Sequence, residues 1–447
     1  MKRIANLVVL ALENRSFDHL MGNMMSPTYC IDGLTGHEFN YTDPTTNFGP
    51  ICVTQSASYV PDVDPEPGHA FHDAMLQLFR QYTAPQNVLA HNDGFVYAYA
   101  KVTGDVAHAG RVMQCFGIDQ LPALHKLARE FLVCDRWFSS VPGPTWPNRF
   151  FMHCATSGGF VDNALRLYDM PTIYDNLRTA GVDWRIYYHD IPQSMALKRQ
   201  HQYFAGKYEE IVAFFRDCQA GKLPAYSFIE PRYFNFGSSR ANDQHPIHGV
   251  PLGDNLIADV YEALRSSPQW PESMLLLIWD EHGGFYDHVL PPSTVSPDGK
   301  AAPEFDFTRL GLRVPAVLVS PYIERGGIDR TVYDHSSVAA TAKEVFALPN
   351  FLTKRDAAAN TFAHVLSLDT PRQDCPLKLP RIDMSLVPAP EAQRPATATG
   401  MHQSLLNLSE SLLRGGTSTG VLPVTEDEAA ERALSALSAF KLQGGRS

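Results

Sequence analysis

A chain of 447 residues with 44% hydrophobic and 19% charged residues, including 25 Phe and 18 Tyr, has the material for a large buried core and does not belong to the disordered class. The formal net charge of −11 argues against a nucleic-acid reader, which needs a basic face to meet phosphates. No apolar run is long enough to span a bilayer, so any membrane contact is expected to be peripheral.

The 7 cysteines are scattered, none at CxxC spacing, and read as mostly reduced thiols of an intracellular protein. The basic opening residues precede an apolar run too short for a signal peptide, with no small-residue cleavage site. The expected location is the cytoplasm or the membrane periphery, with export by another route left open. That first run, 6–12, reads instead as a strand, and it ends in Glu13 and Asn14. A short helix is expected over 16–21. Up to Pro67 the chain is rich in Gly, Pro, Thr, Asn and Asp, a long excursion of the kind that compact enzymes use functionally. An amphipathic helix follows over 70–82, with His69 at its start, and after a second loop region come a helix over 121–131 and a strand over 132–134.

The Pro-rich turn from Val141 to Pro144 runs into Thr145, Trp146 and Pro147, where a helix begins. Helices over 172–180, 209–218 and 252–266 alternate with strands over 183–188, 226–229 and 274–278, and a polar loop carries Asp243, His245 and His248. The strand over 274–278 runs through Trp279 into Asp280, Glu281, His282 and a Gly-Gly turn. A further strand over 314–319 is expected to be parallel to the others, and Ser336 and Ser337 are expected to cap a helix over 338–348. The segment 388–400 reads as a linker to two amphipathic helices over 401–413 and 426–441. The pattern predicts an α/β/α catalytic domain, 1–387, with a mainly parallel sheet, and a helical C-terminal extension, 388–447.

Glu13, Asn14, Asp280 and Glu281 offer only oxygen donors at the ends of two apolar strands. Such a set suits a hard divalent cation, Ca, Mg or Mn before Zn. Open α/β sheets hold their ligands at this carboxyl edge. Thr145, at a helix start after a rigid turn, is either an ordinary N-terminal threonine or a hydroxyl placed to attack phosphorus beside a metal. Asn148 and Arg149 are placed either to hold phosphate oxygens or to lie on the helix surface. His69, His245, His248, His282 and His335 all fall on loops at strand ends, where imidazoles suit proton transfer. Asp287 and His288 are expected to support the loop after the Gly-Gly turn.

Seven stretches in one order carry a resemblance: Glu13 to His19, Pro67 to His69, Asp135 to Phe138, Pro144 to Arg149, Asn242 to Pro246, Asp280 to His288, and His335 to Ser337. Together they resemble the phosphoesterase family of plant and bacterial non-specific phospholipases C and related bacterial acid phosphatases. Plainer stretches, Tyr261 to Trp270 and Phe351 to Asp356, resemble the plant enzymes too. The resemblance implies an alkaline-phosphatase-like fold and a nucleophilic hydroxyl at Thr145. It also implies metal ligation by Glu13, Asn14, Thr145, Asp280 and Glu281. His69, His245, His248 and His335 are implied to surround the phosphate, with His245 or His335 protonating the leaving group, and Asn148 and Asp243 to assist. Trp146 departs from the residues usual at that position in the family, and its indole is either placed to meet the acyl-glycerol or a choline cation or is a structural tryptophan. The implied activity is metal-dependent cleavage of a glycerophospholipid to diacylglycerol and a phosphorylated head group, through a phosphothreonine. The alternative is a broad acid phosphatase on monoesters. The implied partners are the phospholipid or phosphoester substrate and a peripheral membrane surface, with no obligate protein partner. Sulfatase chemistry through formylglycine has no precursor, since position 145 is neither Cys nor Ser.

Overall fold

The structure, a computed structural model, describes residues 4–83, 85, 88–166, 168–385, 387, 398–415 and 425–443. The first apolar run forms β1 (Asn6–Leu12), buried along its whole length. Ser16 then caps α1 (Phe17–Met21) by accepting the His19 N–H. The polar excursion folds into a hairpin of β2 (Phe39–Asp43) and β3 (Phe48–Cys52), followed by α2 (Phe71–Phe79), α3 (Phe95–Thr103) and α4 (Val106–Ala109). It has its own smaller core around Phe71, Met75, Phe95 and Tyr99. Helix α2 stops short of the expected 82 because Arg80 adopts a left-handed conformation, with φ 62°.

α5 (Pro122–Glu130) begins on its proline and feeds β4 (Leu132–Cys134) and β5 (Trp137–Phe138). The Pro-rich turn then delivers α6 (Thr145–Cys154), with Thr145 as its first residue. The alternation continues through α7 (Ile173–Thr179), β6 (Trp184–Tyr188), the single turn α8 (Phe204–Lys207), β7 (Tyr208–Glu210), α9 (Ile211–Ala220), β8 (Tyr226–Glu230), α10 (Pro251–Arg265) and β9 (Ser273–Trp279). After β9 come β10 (Ala316–Val319), β11 (Gly327–Asp329), β12 (Tyr333–Asp334), α11 (Ser336–Phe346) and α12 (Lys354–Ala358). Ser336 and Ser337 lie inside α11 rather than before it, and the Ser336 N–H is accepted by Asp334 Oδ1 at 3.0 Å.

The main sheet has the order β11-β4-β10-β9-β1-β8-β6-β7. All its strands run one way except β10, which is antiparallel to both β9 and β4. The expectation of a parallel strand at 314–319 is therefore corrected. An unbroken apolar strand reports burial on both faces and carries no mark of direction. The direction follows from the connection, since the chain after β9 never crosses the sheet before it returns. Helices cover both faces: α10 packs with α5 and α9, and α6 packs with α7 and α11.

α13 (Gly400–Arg414) and α14 (Glu426–Leu442) pack on each other and send Leu405, Leu406, Ala433 and Phe440 into the main core. The Phe440 ring lies 5.1 Å from that of Phe204. Most of the expected linker, 388–397, lies outside the described residues. All 7 cysteines are free thiols. No helix among the described residues is long and apolar enough to cross a membrane.

Candidate active site

The sheet register builds the site. Leu12 of β1 stands opposite Trp279 of β9, so Glu13-Asn14 and Asp280-Glu281 leave adjacent parallel strands side by side at the carboxyl edge. All four are buried. The Asn14 backbone N–H donates to Asp280 Oδ1 at 3.2 Å, and its side-chain amide donates to Thr145 Oγ1 at 3.2 Å and to Glu281 Oε1. The N-terminus of α6 is thereby joined to the two strand ends. The turn after Glu281 needs glycine, because Gly283 has φ +64° and a Cβ there would fall 2.2 Å from the Asn14 carbonyl oxygen.

Two of the three buried carboxylates meet one guanidinium here. Arg149, one helical turn after Thr145, places Nη2 2.7 Å from Glu13 Oε1 and Nε 3.1 Å from Asp280 Oδ2, and also donates to Ala11 O. Arg149 is buried, which corrects the alternative that it lies on the helix surface, and its Nη1 has no hydrogen-bond partner. Burial raises the Glu13 carboxyl well above its ordinary range, and the Asp280 charge adds to this. Burial also pushes Asp280 up to about 7 against the pull of Arg149. At Glu281 burial is overridden by His69 and His282, which hold it at about 2. Glu13 Oε2 and Asn14 Oδ1 are buried acceptors with no hydrogen-bond partner. Unsatisfied oxygens beside three carboxylates and a hydroxyl fit a hard divalent cation, which supplies the charge that one arginine does not.

The expected histidines fall into different roles. His69 Nδ1 lies 2.8 Å from Glu281 Oε1 and 3.3 Å from Asn14 Nδ2. Its side chain is 14% exposed, the most open of the four implied around phosphate. His245 is buried with its ring 5.7 Å from that of His69, and its Nδ1 has no hydrogen-bond partner. Burial and the neighbouring His69 push its pKa well below the ordinary value. Asp243 aligns His248 through a 2.7 Å contact to Nδ1, while its backbone oxygen accepts the Glu13 N–H. His335 spends Nε2 on the Asp280 carbonyl at 2.6 Å and accepts the Trp137 indole N–H on Nδ1. With both ring nitrogens engaged it positions Asp280 and is not a free proton donor.

Packing engages two further residues. The Asn148 amide donates to the carbonyls of Val141, Gly143 and Pro144 and accepts the Val141 N–H, so it holds the turn before Thr145. Trp146 is 2% exposed and packs among Phe150 and Tyr168. His282 bonds Gln77 and faces Glu281. Asp287 and His288 join Asp18 and Arg313 in a buried network under the loop.

Several residues at the site carried no signal in the sequence. Gln193 donates to Glu13 Oε1 at 2.8 Å from a single 3-10 turn without a motif. Arg15 clamps the carbonyls of Gln244, His245 and His248, fixing the histidine loop. Glu66 lies 3.4 Å from His245. Glu426, the first residue of α14, lies 3.5 Å from His248 Nε2 and 3.5 Å from His402 Nε2. Proximity of this kind comes from tertiary packing of the C-terminal helices, which periodicity does not encode.

A model of the phosphoesterase family matches residues 4–349. The chain is 43% identical over 403 residues to non-specific phospholipase C6 of Arabidopsis thaliana, covering 85% of this chain and 75% of that protein. It is 41% identical over 409 residues to non-specific phospholipase C1 of the same plant, covering 86% and 75%. With phospholipase C B of Mycobacterium tuberculosis it shares 26% identity over 439 residues, covering 85% and 82%. Among solved structures, a protein in the alkaline phosphatase superfamily from Vibrio parahaemolyticus aligns with 53% of this chain and 62% of its own at a TM-score of 0.33 and 11% identity. So loose a structural likeness carries no weight, and the architecture stands on the sheet order.

Proposed function

The chain belongs to the phosphoesterase family, and from that we propose a phospholipase C reaction, the metal-dependent cleavage of a glycerophospholipid such as phosphatidylcholine or phosphatidylethanolamine. The observation that carries this reading is the way Asn14 joins the Thr145 hydroxyl to Asp280 and Glu281, with Arg149 bridging Asp280 to Glu13 and with a buried acceptor oxygen of Glu13 and one of Asn14 left unpartnered.

Glu13, Asn14, Thr145, Asp280 and Glu281 would hold a divalent cation, whose positive charge would acidify the hydroxyl and draw charge from the phosphoryl oxygens. Asn14 and the start of α6 orient Thr145 Oγ1, which releases its proton to solvent and attacks phosphorus in line. The phosphorus bond to the glycerol oxygen breaks as the new one forms, and the departing oxygen takes a proton from a histidine to give diacylglycerol. His69 suits that role better than His335, because its ring is partly open and only one of its nitrogens faces Glu281. Water then attacks the phosphothreonine, releasing the phosphorylated head group and restoring the hydroxyl. Arg149 acts from beneath by keeping Glu13 and Asp280 in place.

Phosphorus NMR of products from mixed phospholipids and phosphomonoesters, with several divalent metals, tests the reading. The expected result is a phosphorylated head group and diacylglycerol, abolished by chelation and restored by metal. Monoester turnover more efficient by about tenfold in kcat/KM would replace the phospholipase reading with the phosphatase one.

A further inference from the structure

The hairpin of β2 and β3 turns its apolar side chains outward. Its inward residue Asn40 is buried, accepting the Phe95 N–H at 2.7 Å and donating to the Asn92 carbonyl at 3.2 Å. The register pairs Phe39 with Cys52, Tyr41 with Pro50 and Asp43 with Phe48, so these residues share the opposite face. Phe48 is 72% exposed and Phe39 43%, and Pro50 and Cys52 are exposed beside them. A half-covered antiparallel pair ordinarily shows polar side chains to water. Here the one charged member, Asp43, is already engaged through Oδ1 by the Thr45 N–H and hydroxyl.

We propose that this stripe is the surface by which the protein lies on a zwitterionic phospholipid layer, with Phe48 and Phe39 entering the headgroup region. The proposal rests on the phospholipase reading for its choice of occupant, and three observations support it. Charge favours a zwitterionic layer, because a chain of net −11 is repelled by anionic surfaces while the stripe itself is close to neutral. Lys101 extends over the Tyr97 ring at 4.4 Å on α3, the helix against which the hairpin packs, and aromatic rings with a neighbouring lysine suit a headgroup layer. The hairpin is also rigidly tied to the site, since the Asn92 amide donates to the carbonyls of Asp287 and Val289, both at 3.0 Å, in the segment that follows Asp280 and Glu281.

The test is co-sedimentation of the full chain with phosphatidylcholine vesicles. For Phe39→Ser/Phe48→Ser the expected result is a partition at least about tenfold weaker. Vesicle hydrolysis should fall in parallel, while a water-soluble chromogenic phosphodiester is turned over as before. Phe48→Trp should keep binding and show added emission that shifts to the blue on vesicles. Unchanged partition of the double variant overturns the proposal. So does a wild-type dimer that the double variant disperses while vesicle binding persists, which would make the stripe an interface between copies. If the double variant also loses soluble turnover, the tryptophan decides, and an unshifted emission overturns the proposal. Loss of vesicle binding in a protein whose wild type cleaves no phosphodiester leaves the docking surface standing and removes the phospholipase reading instead.

Discussion

Thr145 and Arg149 lie one helical turn apart, one hydroxyl accepting from Asn14 and one guanidinium holding two carboxylates. Thr145→Ala is expected to lower kcat on a soluble phosphodiester by at least about 10³-fold, with Thr145→Ser keeping a measurable part, as read in steady-state kinetics. Arg149→Ala removes the partner of two buried carboxylates, for which a loss of about 3–5 kcal/mol in urea unfolding is expected. Gly283→Ala places a methyl against the Asn14 carbonyl in a backbone conformation that favours glycine, so metal affinity measured by titration calorimetry should fall while the sheet stays folded. The meeting of Glu13, Asn14, Asp280 and Glu281 at one sheet edge was legible because a run of apolar residues ending in acids is a strong local pattern. The roles of Asn148, Arg149 and Trp146 were not, because a helix start shows its residue types but not which of them turn inward.

The helices and central strands stood out through periodicity, with ends displaced wherever a backbone conformation such as that of Arg80 intervened. The contact between α14 and the histidine loop was not legible, since its partners belong to segments that meet only in the packed chain. It makes a pH-dependent strap. Burial opposes the His248 charge, but Asp243 and Glu426 raise its pKa to about 10. Burial likewise opposes the Glu426 charge, and His248 lowers it to about 2. A raised histidine contributes stability that is complete below its ordinary value of 6.5 and is lost as pH climbs through about 10. A depressed glutamate contributes stability that is complete above its ordinary 4.5 and is lost as pH falls through about 2. His402 beside Glu426, lowered by burial to about 4, loses its contribution as pH falls below its ordinary 6.5, so docking of α14 is expected to be tightest in a narrow window about that value. Hydrogen exchange across α14 should show protection weakening on both sides of that window in wild type, and a flatter profile in Glu426→Gln.

Across the whole molecule, the cluster of carboxylates links metal to stability. Asp280 is pushed up from 3.8 to about 7, so the folded chain without metal holds an extra proton over that span and loses stability as pH rises through it. Asp190 and Asp254, also raised to about 7 by burial, add the same slope with or without metal. The difference between chelated and metal-saturated protein, followed by thermal unfolding from pH 4 to 8, should isolate the site. It should widen with pH, and a hundredfold excess of metal over Kd should contribute about 2.7 kcal/mol. The reversed direction of β10 has a consequence for how such an enzyme diversifies. An antiparallel neighbour needs no crossover, so the segment from Asp280 to Pro315 leaves and re-enters the sheet at one rim. Its two feet stand on adjoining strands, which makes its outer part, 290–309, an interchangeable module: stretches of other lengths can be grafted there, reshaping the approach to the strand ends while Asp280, Glu281 and Arg313 and the strand order beneath stay as they are.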